Sequence, residues 1–144
     1  MATNDMPMPM EYRHASEQFD AFMEAVRERS GLTTRNQTYT MVQGVLKVFR
    51  SRLTVAEAIA FAQVLPAVLR AIFVSEWDVS HPVKPFGRRE EMVQEVKALR
   101  RDHNFSPDSS IADVAFVLRQ YVDPMAFQRA LDQLSPEAAA YWSV

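Results

Sequence analysis

The sequence predicts an all-α protein, on three observations. Only three glycines punctuate 144 residues, no stretch alternates β-branched and polar residues as a strand would, and apolar side chains recur at i, i+3, i+4 and i+7 behind residues that cap helices. A chain of this length is one domain, with a core that takes roughly 68–70% of the unfolded surface out of water. The expectation is seven to eight helices in two similar halves, about residues 14–74 and 88–142, joined by a linker at 75–87 and packed as one compact helical domain over 12–144.

Residues 1–11, with Pro7 and Pro9 set between methionines, suit neither a helix nor a ladder and are expected to be mobile or loosely docked. From His14 to Ser30, Phe19, Phe22, Met23 and Val26 make one apolar stripe opposite Glu17, Asp20, Glu24, Arg27 and Glu28, and Gly31 stands where a left-handed cap is needed. Thr34 and Gln37 have the spacing of a capping box, after which Met41, Val42, Val45, Leu46 and Phe49 carry a buried stripe to about Ser51. Gly44 inside that stripe costs about 0.8–1.0 kcal/mol against alanine by helix propensity, which predicts a close helix contact there.

The segment Thr54–Phe73, TVAEAIAFAQVLPAVLRAIF, has the least polar surface in the chain and is expected at its centre. Thr54 and Glu57 open it with a second capping box. Pro66, with no amide to give to the carbonyl of Ala62, divides it into helices at about 55–64 and 66–74. Ala58, Ile59, Ala62 and Leu65 are expected to line the buried face of the first, and Leu69, Ile72 and Phe73 that of the second. The segment is long enough to span a bilayer, but Glu57, Gln63, Pro66 and Arg70 argue for a core helix, since each charge in a membrane costs about 2.5–3.5 kcal/mol.

After the linker, Arg88 to about His103 turns Met92, Val93, Val96 and Leu99 inward. Asp108 to Val122 does the same with Ile111, Val114, Ala115, Leu118 and Val122, behind a Ser106-Pro107 cap. Asp123-Pro124 and Ser135-Pro136 start short helices at about 124–133 and 136–142. A shift of 69 residues sets Val45 on Val114, Arg50 on Arg119, Thr54 on Asp123, Leu65 on Leu134 and Phe73 on Trp142, so two caps fall in register and the reading is a duplicated unit of three to four helices.

The absence of cysteine excludes a thiol nucleophile, an iron–sulfur site and a thiolate zinc site, and suits a reducing compartment. Residues 1–13 lack the cationic and apolar runs of a signal peptide, so the expected location is cytoplasmic. His14, His81 and His103 fall at no helical ligand spacing, and no phosphate-cradling or nucleophile-elbow motif is present. No catalytic, cofactor-binding or metal residue is therefore assigned. A formal charge of −2 gives no net attraction to nucleic acid or an anionic membrane. Arg88, Arg89, Lys97, Arg100 and Arg101 are interleaved with Glu90, Glu91, Glu95 and Asp102, which reads as a solvated face; weak nucleic-acid binding through the Arg88–Arg101 helix is an alternative only.

Trp77 is the residue most out of place. In a polar linker it either plugs the junction between the halves or stands exposed as an anchor for a partner. Tyr141 and Trp142 read as core, and Arg70 either reaches the surface or pairs with an acid of the second half.

The run RLTVAEAIAFAQVLPAVLRAIFVSEW, Arg52 to Trp77, with VLKVFR before it and LDQLSPEAAAYW near the end, resembles the bacterial domain-of-unknown-function family 2267. The resemblance rests on Leu53, Glu57-Ala58, Gln63-Val64-Leu65-Pro66, Leu69-Arg70 and Trp77, and extends from about Tyr12 to the C-terminus. It implies a small, internally duplicated all-helical domain from a bacterium, with no established activity. Leu134-Ser135-Pro136 stands where a second leucine-proline turn is expected, so whatever the first turn does need not be done twice.

The preferred functional expectation is a protein-interaction or structural module that binds another protein, or itself as a homodimer, without a cofactor or a membrane. The alternative is a small helical enzyme or ligand-binding protein with a site between the halves at Glu57, Arg70, Trp77, Asp78 and His81, which requires those groups to converge on one pocket.

Overall fold

The residues described by the computed structural model, 7–144, form nine α-helices and no strand. In chain order these are α1 (Met10–Arg13), α2 (Ala15–Ser30), α3 (Arg35–Arg50), α4 (Val55–Ala62), α5 (Ala67–Val74), α6 (Arg89–Ala98), α7 (Ser110–Leu118), α8 (Pro124–Asp132) and α9 (Pro136–Tyr141), with a 3-10 turn at Arg101–His103. Residues 1–6 of the expected mobile segment lie outside the described residues. From Met10 the chain is already helical, and Glu11 and Tyr12 bond to Arg70 on α5.

The chain is wound about α3, not about the segment with the least polar sequence. Eleven of the sixteen residues of α3 are buried, against three of eight in α4 and three of eight in α5. Pro66 cuts the greasy segment into two pieces too short to run through the middle of a domain, and each lies at the edge with Val55, Ile59 and Val74 in water. Ile59 is 51% exposed, contrary to expectation. The buried face is Ala58, Phe61, Ala62 and Leu65, the i, i+3, i+4, i+7 set that Ile59 falls outside.

Helix α3 conceals its centrality behind buried polar residues that its own backbone satisfies. Thr38 Oγ1 donates to the Thr34 carbonyl at 3.0 Å and Thr40 Oγ1 to that of Asn36 at 3.1 Å. The apolar stripe Met41, Val42, Val45, Leu46 and Phe49 is wholly enclosed, and Gly44 is where α6 comes closest: a Cβ there would lie 3.0 Å from Val96 Cγ1 and 3.2 Å from the Val96 carbonyl oxygen.

Most element starts are local events. Thr34 with Gln37 and Thr54 with Glu57 close complete capping boxes, while Asp123 and Ser135 accept the amides of Ala126 and Ala138 ahead of first-turn prolines. Two boundaries differ from expectation. The helix begun at Arg89 stops at Ala98 instead of about His103, because Arg100 is left-handed at φ 51° and Asn104 Nδ2 takes the end carbonyls of Val96 and Leu99 at 2.8 and 2.7 Å. Helix α7 starts at Ser110, with Ser109 donating to Asp113; Ser106 is buried and caps nothing.

The two most extensive helix pairings are α3 with α6 and α2 with α7. Between them, Phe49, Phe61, Phe73, Phe127, Tyr141 and Trp142 form one aromatic cluster with ring centroids 4.8–6.2 Å apart. The Tyr141 hydroxyl donates to the Val45 carbonyl at 2.7 Å, and full burial pushes its pKa far above the ordinary value. Two arginines close the ends of the last helices in each half. Arg50 Nη1 donates to the Phe73 carbonyl, and Arg119 Nε donates to that of Trp142, both at 2.9 Å, with 69 residues separating donor from donor and acceptor from acceptor.

Candidate binding groove

Where the chain leaves α5 it does not continue as a helix. Glu76 is left-handed at φ 50°, and the 75–87 connection then runs as irregular backbone until the Lys84 amide donates to the Ser51 carbonyl at 3.0 Å. This connection makes one wall of a groove. The floor is the outer side of α3, from Asn36 to Ser51, and the second wall is the end of α6 with the turn that follows it. Four neighbouring hollows, of about 330, 330, 360 and 580 Å³, run along it and share Tyr39, Lys47 and Arg100 at their borders.

At the α5 end, Arg50 is buried and lies 5.1 Å from the centre of the Trp77 ring, with Nη1 on the carbonyls of Phe73 and Ser75 at 2.9 and 2.8 Å. Burial draws its pKa below the ordinary guanidinium value, opposed by Glu76. Trp77 is half-buried and serves as both the plug and the rim of the groove. Lys47 Nζ pairs with Glu76 at 2.9 Å and holds that carboxyl below its usual range. Further along, Arg52 makes a two-pronged contact with Glu95, at 2.7 and 2.5 Å, which Lys84 joins at 3.3 Å. The Arg52 hydrogen bonds keep Glu95 below its ordinary value against the opposing effect of burial.

The five residues singled out from the sequence divide. Trp77, Asp78 and His81 line the same hollow as Arg50 and Lys84. Asp78 accepts from the Ser80 amide and hydroxyl at 3.0 and 2.6 Å, which lower its pKa, and lies 3.4 Å from an exposed His81. Glu57 is elsewhere, spent on the Thr54 amide at 2.8 Å. Arg70 pairs with Glu11, not with an acid of the second half, and caps α4 through the carbonyls of Ala62 and Leu65. The basic stripe is dispersed as well: Arg88 pairs with Glu91, Arg89 donates to the Ala140 carbonyl, Lys97 pairs with Asp108, and Arg100 turns to the groove beyond the helix end.

Tyr39, Gln43, Lys47 and Arg100 did not stand out in the sequence, because three segments supply them. The legible signal was Gln43, a lone amide between Met41-Val42 and Val45-Leu46. Among the described residues, no cluster of three or more histidine, cysteine or acidic side chains is placed to hold a metal ion. No helix of the described residues is long and apolar enough to cross a membrane.

A family model described as "Uncharacterized conserved protein (DUF2267)" matches residues 19–141. The chain belongs to this family. The matched span of this DUF2267 chain runs from Phe19 on the inner side of α2 to Tyr141 in the aromatic cluster, so the helical core and the groove both lie within what defines the family. No curated protein matches the chain.

Proposed function

We propose that the protein is a protein-interaction module whose groove along α3 receives an extended segment of a partner. The observation that carries this reading is the continuity of the groove. From Asn36 to Ser51 its floor runs about 22 Å at 1.5 Å per residue, room for roughly six or seven extended residues at 3.3 Å each. Its lining suits a polypeptide, with aromatic surface at Tyr39 and Trp77, charges of both signs, and exposed Val79, Val83 and Phe105 along its edges. Capture of a partner from the source cells by the immobilised chain tests it. Tyr39→Ala and Trp77→Ala are expected to weaken capture at least tenfold while Glu28→Ala and Glu137→Ala leave it unchanged. Equal capture by all four variants contradicts the groove.

The same reading takes the protein as bacterial and cytoplasmic, in keeping with its lack of cysteine. It also takes the two halves as copies of one unit, which the equal spacing of the Arg50–Phe73 and Arg119–Trp142 caps supports. The left-handed positions support it too, since Gly31 and Arg100 likewise stand 69 residues apart.

A further inference from the structure

One hollow of the groove, of about 330 Å³, is bounded by Tyr39, Gln43, Lys47, Glu76, Leu99 and Arg100, and three independent features meet in it. Gln43 is 7% exposed, and its Oε1, wholly buried, accepts no hydrogen bond from the protein. A buried acceptor of this kind is normally satisfied, so its donor has to come from the hollow. Glu76 and Arg100 are the two non-glycine residues with positive φ among those described, and both face the same space. Such backbone strain gathers where a fold holds a ligand. Arg100, finally, makes no ion pair among the described residues, whereas Lys47 is already tied to Glu76.

The chemistry specifies the occupant. Two cations and one carboxylate leave a single positive charge, which matches a monoanion better than a phosphate dianion. A guanidinium presents its paired N–H groups to a carboxylate, and an amide oxygen beside it accepts an N–H. Leu99 and Tyr39 offer apolar surface for a side chain between the two. An acylated α-amino carboxylate supplies all of these. We propose that this hollow binds the free C-terminus of a polypeptide, with the carboxylate on Arg100 and the last peptide N–H on Gln43 Oε1. This rests on the groove reading above and names the end of the segment that the groove receives.

The test is an NMR titration of the ¹⁵N-labelled full chain with acetyl-Ala-Leu, its C-terminal amide, and N-acetyl-leucine. The free-acid dipeptide is expected to give saturable shifts of the Gln43 side-chain amide, assigned by its loss in Gln43→Leu, and the amide form to bind at least tenfold more weakly. Arg100→Gly is expected to weaken the dipeptide at least tenfold while raising the melting temperature, since glycine adopts this φ without strain. A purely structural arginine would not give both results. No saturable shift, or equal binding of acid and amide, overturns the proposal. N-acetyl-leucine binding as tightly as the dipeptide overturns it in favour of a small acylamino acid. Loss of dipeptide binding with partner capture still sensitive to Tyr39 and Trp77 sinks the terminus site and leaves the groove, whereas insensitive capture sinks the groove itself.

Discussion

Gly44 shows how one residue sets the distance between two helices. Alanine there would gain about 1 kcal/mol of helix propensity, but its methyl would stand 3.2 Å from the backbone oxygen of Val96, which cannot swing away as a side chain can. The overpacking is the larger effect, so Gly44→Ala is expected to destabilise by about 1–2 kcal/mol net, read from urea unfolding. Glu95 carries the pH dependence at this scale. Its folded pKa lies below the unfolded value of about 4.3, so its contribution is complete above that value and is lost as pH falls through the folded pKa. Glu95→Gln leaves Arg52, whose side chain is 4% exposed, without its charged partner. A loss of about 1.5–3 kcal/mol at pH 7 is expected. Unfolding curves between pH 5 and 3 should show a shallower decline for the variant than for the parent.

At the scale of elements, what the sequence made legible was what neighbours decide. The caps at Thr34, Thr54, Asp123 and Ser135 each act three residues away, and all four are formed. The end of α6 depends instead on Asn104, eight residues beyond Val96 and five beyond Leu99, so apolar periodicity carried the expected helix past its true stop. Asn104→Ala is expected to destabilise by about 1–3 kcal/mol and to speed amide exchange in the last turn of α6, leaving α3 protected. The centrality of α3 was hidden for a different reason. Thr38, Thr40, Gln43 and Arg50 lower its apparent hydropathy although all four are buried, while α4 looks greasier with Val55 and Ile59 in water. The candidate site divides the same way: Trp77, Asp78 and His81 are odd within their own linker, but Tyr39, Lys47 and Arg100 gain meaning only when three segments meet.

For the molecule as a whole, the pairing of α3 with α6 and of α2 with α7 exchanges helices between the halves, and the aromatic cluster around Phe49 and Trp142 joins them. Neither half closes its core alone. The groove follows from this arrangement, since the connection that carries the chain from α5 to α6 has to pass along the outer side of the helix both halves enclose. The α4 surface, with Val55 and Ile59 exposed, is the competing apolar face for a partner, and one measurement separates the two. A photo-crosslinking amino acid is placed at Val83 on the groove rim, and in a second preparation at Ile59, in the cells that make the protein. Discrete protein adducts from Val83, abolished by Tyr39→Ala, with none from Ile59, are the expected result. Adducts from Ile59 alone, or none from Val83, contradict the account.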